Sequence, residues 1–281
     1  TSDTSGDALM FAVAIKNFSY SYYPISQEIT NYDLKGQNPI VNTKYFTYNS
    51  NNQLSEETLV NSNNKSITSK YYYPQDFSSE PYMQNLITTN RIKTPISIEK
   101  YNTNLLSKEK TIFIVDATTS NLVLPKSVYS AKFPNNIPFT TNIGNLEKKL
   151  TYDYYDTSGN LTQYTPEGGV PVSIVWGYDK TQPIAKIENA TNAQLVSALG
   201  VTNFNSITEA QLSSLNNLRT NATFSQSMIT TYTYQPLVGV SSITDPKGDT
   251  VYYTYDGLGR LQYVKDAQGK LLTDYQYHYK N

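Results

Sequence analysis

The chain has 281 residues, with 22 Lys and Arg against 23 Asp and Glu for a formal net charge of −1, and its only arginines are Arg91, Arg219 and Arg260. That leaves no basic field to attract nucleic acid or anionic lipid, and the absence of cysteine excludes disulfides, thiolate metal sites and thiol catalysis. Only 38% of residues are hydrophobic and mean hydropathy is −0.50, so 26 Tyr and 9 Phe must supply much of the buried area, as rings whose polar tips stay near the surface.

From the N-terminus, Leu9 to Ile15 is the first apolar run, too short for the roughly 20 residues that span a bilayer, so no transmembrane segment is predicted. Phe18, Tyr20 and Tyr22 alternate with serines and predict a strand with one aromatic face. Breakers follow at Pro39, Asn49 to Asn52, Asn61 to Asn64, Pro74 and Pro81, and weak turn signals at Tyr101-Asn-Thr-Asn-Leu105 and from Asp116 to Leu122. The stretch from Lys132 to Thr141 carries two prolines and little periodicity. It predicts a boundary between a degenerate β-repeat region, 1–145, and a regular one, 146–281.

In the regular region, Leu150, Tyr152 and Tyr154 are predicted to share one strand face, as are Val251, Tyr253 and Tyr255, and Tyr275, Tyr277 and Tyr279. Between them, Thr191-Asn-Ala-Gln194 and Thr208-Glu-Ala-Gln211 match the capping-box spacing. Two short helices are predicted over 191–219, presenting Leu195, Val196 and Leu199, then Leu212, Leu215 and Leu218. Basic residues are too scarce there for a DNA-reading helix pair. After the helices, turn glycines recur at Gly248, Gly259 and Gly269, and such a repeat means stacked hairpins that share one continuous core.

Tyr255-Asp-Gly-Leu-Gly-Arg-Leu261 resembles the Tyr-Asp-x-x-Gly-Arg-Leu core of the RHS or YD-repeat family, and Tyr155-Asp-Thr-Ser-Gly-Asn-Leu161 is a second copy. Degenerate copies occur at Tyr48-Asn-Ser-Asn-Asn-Gln-Leu54, where Asn52 takes the glycine position, and at Tyr178-Asp-Lys-Thr-Gln-Pro-Ile184. Trp176-Gly-Tyr178, Pro183 to Ala190, Thr231 to Tyr234 and the final Tyr-His-Tyr-Lys-Asn281 resemble the C-terminal region of large secreted YD-repeat proteins of Gram-negative bacteria. The resemblance implies a fragment or processed portion of a longer protein. The implied fold is mainly β: stacked antiparallel hairpins in a curling sheet or shell segment, with the two helices inserted. It further implies export, by the type IX route as one possibility, and a location outside the cell or at the outer membrane.

Asp156, Asp179, Asp256 and Asp266 could be paired for glycoside hydrolysis, but each occupies the same predicted turn slot, where Asp bonds the backbone two residues on. The alternating oxygen ligands of a calcium loop are missing, so no metal is predicted. His278 is the only histidine and sits among tyrosines, which predicts a polar strand residue rather than a catalytic base. Gly168-Gly169 lacks the Lys and helix of a phosphate loop. The repeat-turn residues are therefore Tyr155, Asp156, Gly159, Leu161, Tyr255, Asp256, Gly259, Arg260 and Leu261, while Trp176 and Tyr178 are candidates for stacking on a glycan.

The expected function is non-enzymatic and needs no cofactor. The chain is read as β-sheet wall of an exported protein that encloses polypeptide cargo, such as a toxin, or offers a surface to a protein partner at the cell envelope. The alternative is a cell-surface adhesin that binds glycans through Tyr, Trp and Asn-rich loops.

Overall fold

The computed structural model describes residues 21–131 and 146–278. The apolar run at Leu9 to Ile15, Phe18 and Tyr20, the boundary at Lys132 to Thr141, and Tyr279 with the two residues after it lie outside the described residues.

Every described strand joins one antiparallel sheet of 16 strands in strict chain order. The first eight are β1 (Ser26–Asn31), β2 (Ile40–Tyr48), β3 (Leu54–Val60), β4 (Ser66–Tyr72), β5 (Ser97–Tyr101), β6 (Leu105–Ile114), β7 (Leu124–Ser130) and β8 (Glu147–Tyr155). The second eight are β9 (Leu161–Pro166), β10 (Val172–Gly177), β11 (Gln182–Glu188), β12 (Met228–Gln235), β13 (Gly239–Thr244), β14 (Thr250–Tyr255), β15 (Leu261–Asp266) and β16 (Leu271–Asp274). The mainly β, hairpin-stacked architecture expected from the repeats is thus present, and the sheet is open, with β1 and β16 at its edges. At the predicted boundary, β7 and β8 pair directly, Ser127 facing Thr151 and Val128 facing Leu150, so hydrogen bonding continues across it.

Sheets alone leave a face to be covered, and two insertions cover it locally. Helix α1 (Met83–Thr88) lies between β4 and β5 and seals Met83 and Leu86 against Ile96 and Phe113. Between β11 and β12 come α2 (Asn192–Leu199), α3 (Leu212–Asn217) and short 3₁₀ turns. Thr191 caps α2 and Gly200 ends it in the left-handed conformation, while the second capping box, Thr208 with Gln211, opens a 3₁₀ turn that leads into α3. Leu195, Ile207, Leu215, Leu218 and Phe224 close over Val175, Ile184, Ile187 and Ile229, forming the largest core. Each such side chain fully withdrawn from water contributes about 1.5–3 kcal/mol, so this is where the sheet is best anchored.

Three strand readings are corrected by the structure. Tyr22 precedes β1 rather than lying in a strand, and Tyr275 to His278 follow β16 outside the strand, although the Tyr275 N–H still donates to the Gln262 carbonyl of β15 at 3.0 Å. In β8 the register slips between Tyr152 and Tyr154, so the phase of alternation breaks: Tyr155 packs 6.3 Å from Tyr152, and Tyr154 is left exposed. In β14 the alternation is intact, with Tyr252 and Thr254 outward and Tyr253 and Tyr255 half-buried. No helix among the described residues is long and apolar enough to cross a membrane.

Candidate functional site

The repeat motif first makes a turn. Asp256 accepts the N–H groups of Leu258 and Arg260 on one carboxylate oxygen, at 2.9 and 3.0 Å, and its backbone N–H and carbonyl close the loop with Arg260 and Gly259. Gly259 takes φ +74°, the position where a Cβ would be strained. Asp156 makes the same set of bonds with Ser158, Gly159 and Asn160, and Asp245 and Asp266 repeat it around Gly248 and Gly269. Asn49 and Asn61 reproduce the geometry with Asn52 and Asn64 in the left-handed position. Asp33 adds a further copy that sequence reading missed, although its Asp-x-x-Gly spacing through Gly36 was the available signal.

Asp179 does not belong to this set. Tyr178, Asp179 and Lys180 are all left-handed, with φ of 49°, 55° and 63°, and the loop closes instead through Thr181 to Gly177 and Tyr178. Here β11 begins at Gln182, Gly177 faces Gln182 and Trp176 faces Pro183, with a register shift between Val175 and Trp176. The stretch from Asp116 to Leu122 also departs from the repeat: Asp116 caps a 3₁₀ turn at Ala117–Thr119.

The tyrosine of the motif has a separate task. In an antiparallel meander, all turns from an even to an odd strand lie along one rim. On that rim Tyr155 faces Leu161 across its turn, Trp176 faces Pro183, Tyr234 faces Val240 and Tyr255 faces Leu261. The carbonyl of the facing residue then accepts the aromatic tip of the next even strand. Trp176 donates to Leu161 at 2.9 Å, Tyr234 to Pro183 at 2.9 Å, Tyr255 to Val240 at 2.8 Å and Tyr277 to Leu261 at 2.8 Å. Upstream, Tyr155 donates to Pro125 at 2.7 Å, Tyr73 to Leu54 at 2.8 Å and Tyr48 to Pro24 at 3.0 Å. The relay lapses at β6 itself, where Phe113 takes the aromatic place facing Pro125 and has no hydroxyl to donate. Burial pushes the Tyr155 phenol well above its ordinary range, as expected of a hydroxyl that serves as a donor.

Sequence spacing could show the Tyr, Asp, Gly and Leu of each motif but not this relay, since donor and acceptor belong to different hairpins. Trp176 and Tyr178, the glycan candidates, are both engaged internally. Trp176 is half-buried and its indole N–H is used by Leu161; the Tyr178 hydroxyl accepts the Tyr234 N–H at 3.0 Å, with the two rings edge to face at 5.5 Å. Tyr178 and Tyr234 also help to line an open groove of about 720 Å³ between two rim turns, with Leu237 fully exposed beside it. His278 is exposed beyond β16.

A charged group unforeseen from the sequence lies between β4, β5 and β6. Glu99 on β5 is almost fully buried, 2.8 Å from Lys108 on β6, and accepts the hydroxyls of Tyr72 and Tyr101. Burial alone would raise the Glu99 carboxyl, but Lys108 and the two tyrosines outweigh it and hold the group below its usual range. Burial and the Glu99 charge push Tyr72 up to about 12. On β6, two residues beyond Lys108, Lys110 is buried between Glu80 and the Phe77 ring. No cluster of metal-ligating side chains occurs among the described residues.

No protein-family profile and no curated protein matches the chain. Among solved structures, it is similar to TcdB2-TccC3, at 11% identity over 89% of this chain with a TM-score of 0.36. It is also similar to TcdB2-TccC3 without the hypervariable C-terminal region, at 14% identity over 89% of this chain with a TM-score of 0.33. A Tc holotoxin pore from Photorhabdus luminescens matches at 12% identity over 87% of this chain, with a TM-score of 0.29. The chain spans only 12% to 13% of the length of those chains.

Proposed function

We propose that this chain is a non-enzymatic stretch of β-sheet wall in a large exported protein of the RHS or YD-repeat kind, enclosing polypeptide cargo or presenting a broad surface to a protein partner. The observation that carries this reading is the aromatic relay along one rim. A sheet of 16 sequential strands has few contacts beyond nearest neighbours, so each hairpin needs a tie to the next. The relay supplies that tie at nearly every even strand, with the Tyr and Leu of the repeat motif as its parts. Such a construction favours extent over a compact core, which suits a wall. The residues of the motif are spent on turns and latches, and none is free for chemistry.

The adhesin alternative gains less support, because Trp176 and Tyr178 are committed to internal hydrogen bonds. Export and contact with the envelope belong to the same proposal. Its test is mass spectrometry of what co-purifies with the tagged native protein from culture fluid and from detergent-solubilised envelopes. A polypeptide held in the soluble fraction supports enclosure, and retention with envelope proteins supports a surface partner. A native protein that purifies alone from both fractions, or whose bound material is glycan, overturns the reading.

A further inference from the structure

Two neighbouring turns on the aromatic rim depart from the chemistry of the others. After β12, Gln235 accepts the Val238 N–H at 3.1 Å, and within that turn Leu237 takes φ +63°. In the turns after β2, β8 and β14 the left-handed place belongs to Asn52, Gly159 and Gly259, residues that tolerate it; a leucine there is strained. Leu237 is also fully exposed. In the next rim turn Leu258 is 73% exposed, at a place held by Ser158, Lys247 and Gln268 in the other Asp turns. The two turns lie close together, since a Cβ on Gly259 would come 3.9 Å from Val238 Cγ1. One exposed leucine is ordinary, but two on adjacent turns, one of them on strained backbone, form an apolar ridge.

Beside this ridge opens the groove of about 720 Å³, whose lining includes Tyr178, Tyr234, Val240 and Leu237 itself. Asp179 and Glu209 also line it, and both are exposed. Glu209 accepts the Tyr178 N–H at 2.9 Å, but neither carboxylate forms an ion pair among the described residues. Lys180 acts on Glu209 only at a distance, because its ammonium donates to the Asn205 carbonyl at 2.9 Å. An accessible apolar groove is thus edged by two carboxylates that lack a bonded cation.

We infer that this groove docks a basic, apolar segment of a polypeptide partner. An apolar side chain of the partner would sit against Leu237 and Tyr234, with a Lys or Arg beside it to meet Asp179 and Glu209. Charge selects this occupant. A bilayer would have to take up the carboxylates together with the leucines, and a second copy in two-fold contact would bring the same carboxylates against themselves. The inference rests on the reading of the chain as a wall that meets a protein partner, and it names the surface used.

The experiment is ligand-observed saturation-transfer NMR on the whole chain with acetyl-Lys-Leu-Leu-Lys-amide and its Glu-Leu-Leu-Glu and Lys-Ser-Ser-Lys counterparts, run beside sedimentation with phosphatidylcholine vesicles. The Lys-Leu peptide is expected to receive several-fold more transfer than the other two, and the vesicles to leave the protein in solution. Leu237→Gly removes the strain, so the fold should hold while the response weakens several-fold. Asp179→Asn with Glu209→Gln should abolish the preference for the Lys-Leu over the Glu-Leu peptide; Asn suits φ +55° and Gln keeps the acceptor for the Tyr178 N–H. Equal transfer to the two leucine peptides, no transfer at millimolar concentration, or an unaltered response in Leu237→Gly would each overturn the assignment. Vesicle binding or self-association that Leu237→Gly abolishes would overturn it too, by giving the ridge to lipid or to a second copy. A polypeptide recovered with the native protein alongside any of these results would remove the groove alone and leave the wall reading standing.

Discussion

The Tyr255 hydroxyl donates to the Val240 carbonyl 2.8 Å away, and Val240 is the residue that faces Tyr234 across the preceding rim turn. One hairpin thus grips the next beside the register shift between Thr233 and Tyr234, where the ladder is interrupted. The same tip explains a glycine: a Cβ on Gly239 would lie 2.6 Å from the Tyr255 hydroxyl oxygen.

Gly239→Ala should therefore destabilise the protein, and Tyr255→Phe should reduce that penalty by removing the colliding oxygen. A double-mutant cycle in denaturant would show a coupling of at least about 0.5 kcal/mol. Additive effects would mean that the latch and the glycine are unrelated.

Removing single latches should grade with burial. Tyr155→Phe strands the Pro125 carbonyl in a half-buried site and should cost about 1 kcal/mol. Tyr277→Phe, at a 45% exposed ring where water can replace the bond, should fall near zero. Chemical denaturation of the two variants checks the order.

The turns predict a contrast between two glycines two residues apart. Gly259→Val forces a β-branched residue into φ +74° and should cost at least about 1–2 kcal/mol, although the nearest atom, on Val238, is 3.9 Å away. Gly257→Ala, where φ is not left-handed and the space is open, should be neutral or mildly stabilising. Asp256→Asn keeps the acceptor oxygen and should lie between them, losing only the charge that meets Arg260. Equal unfolding midpoints for Gly259→Val and Asp256→Asn would reject the turn geometry.

Acid should loosen the sheet at β5 and β6. The Glu99 carboxyl is held below its unfolded value, so its contribution is complete above pH of about 4.3 and is lost as pH falls through the lower folded value. Glu99→Gln leaves the Lys108 ammonium with no counter-charge in a site only 11% exposed, and should cost on the order of 3 kcal/mol near neutral pH. Melting temperature measured between pH 3 and 6, chosen to bracket a carboxylate of about 4.3, should fall with acid in the parent and much less in the variant.

The open edges should make the chain self-associate. β16 exposes Leu271 and Leu272, and β1 is exposed along nearly its whole length. Leu272→Lys should lower the apparent mass in sedimentation at high concentration; a parent that stays monomeric there would contradict the expectation.

Local chemistry determined much of this architecture from the sequence by itself. Asp, Gly and Asn at fixed spacing select the turn because their side chains and φ preferences act within five residues, and the capping boxes at Thr191 and Thr208 are legible for the same reason. Period-2 tyrosines mark β14 and the first part of β8, since alternation is a property of one strand alone, but Tyr22 and Tyr275 to His278 show the same pattern outside strands. The bulge that turns Tyr155 toward Tyr152, the left-handed run at Tyr178 to Lys180, α1 over Ile96, and the buried Glu99–Lys108 pair depend on which strands become neighbours. So does the relay, whose donors and acceptors lie on separate hairpins and carry no fixed sequence distance. Tertiary structure alone decided that the motif tyrosine grips the preceding hairpin rather than its own turn.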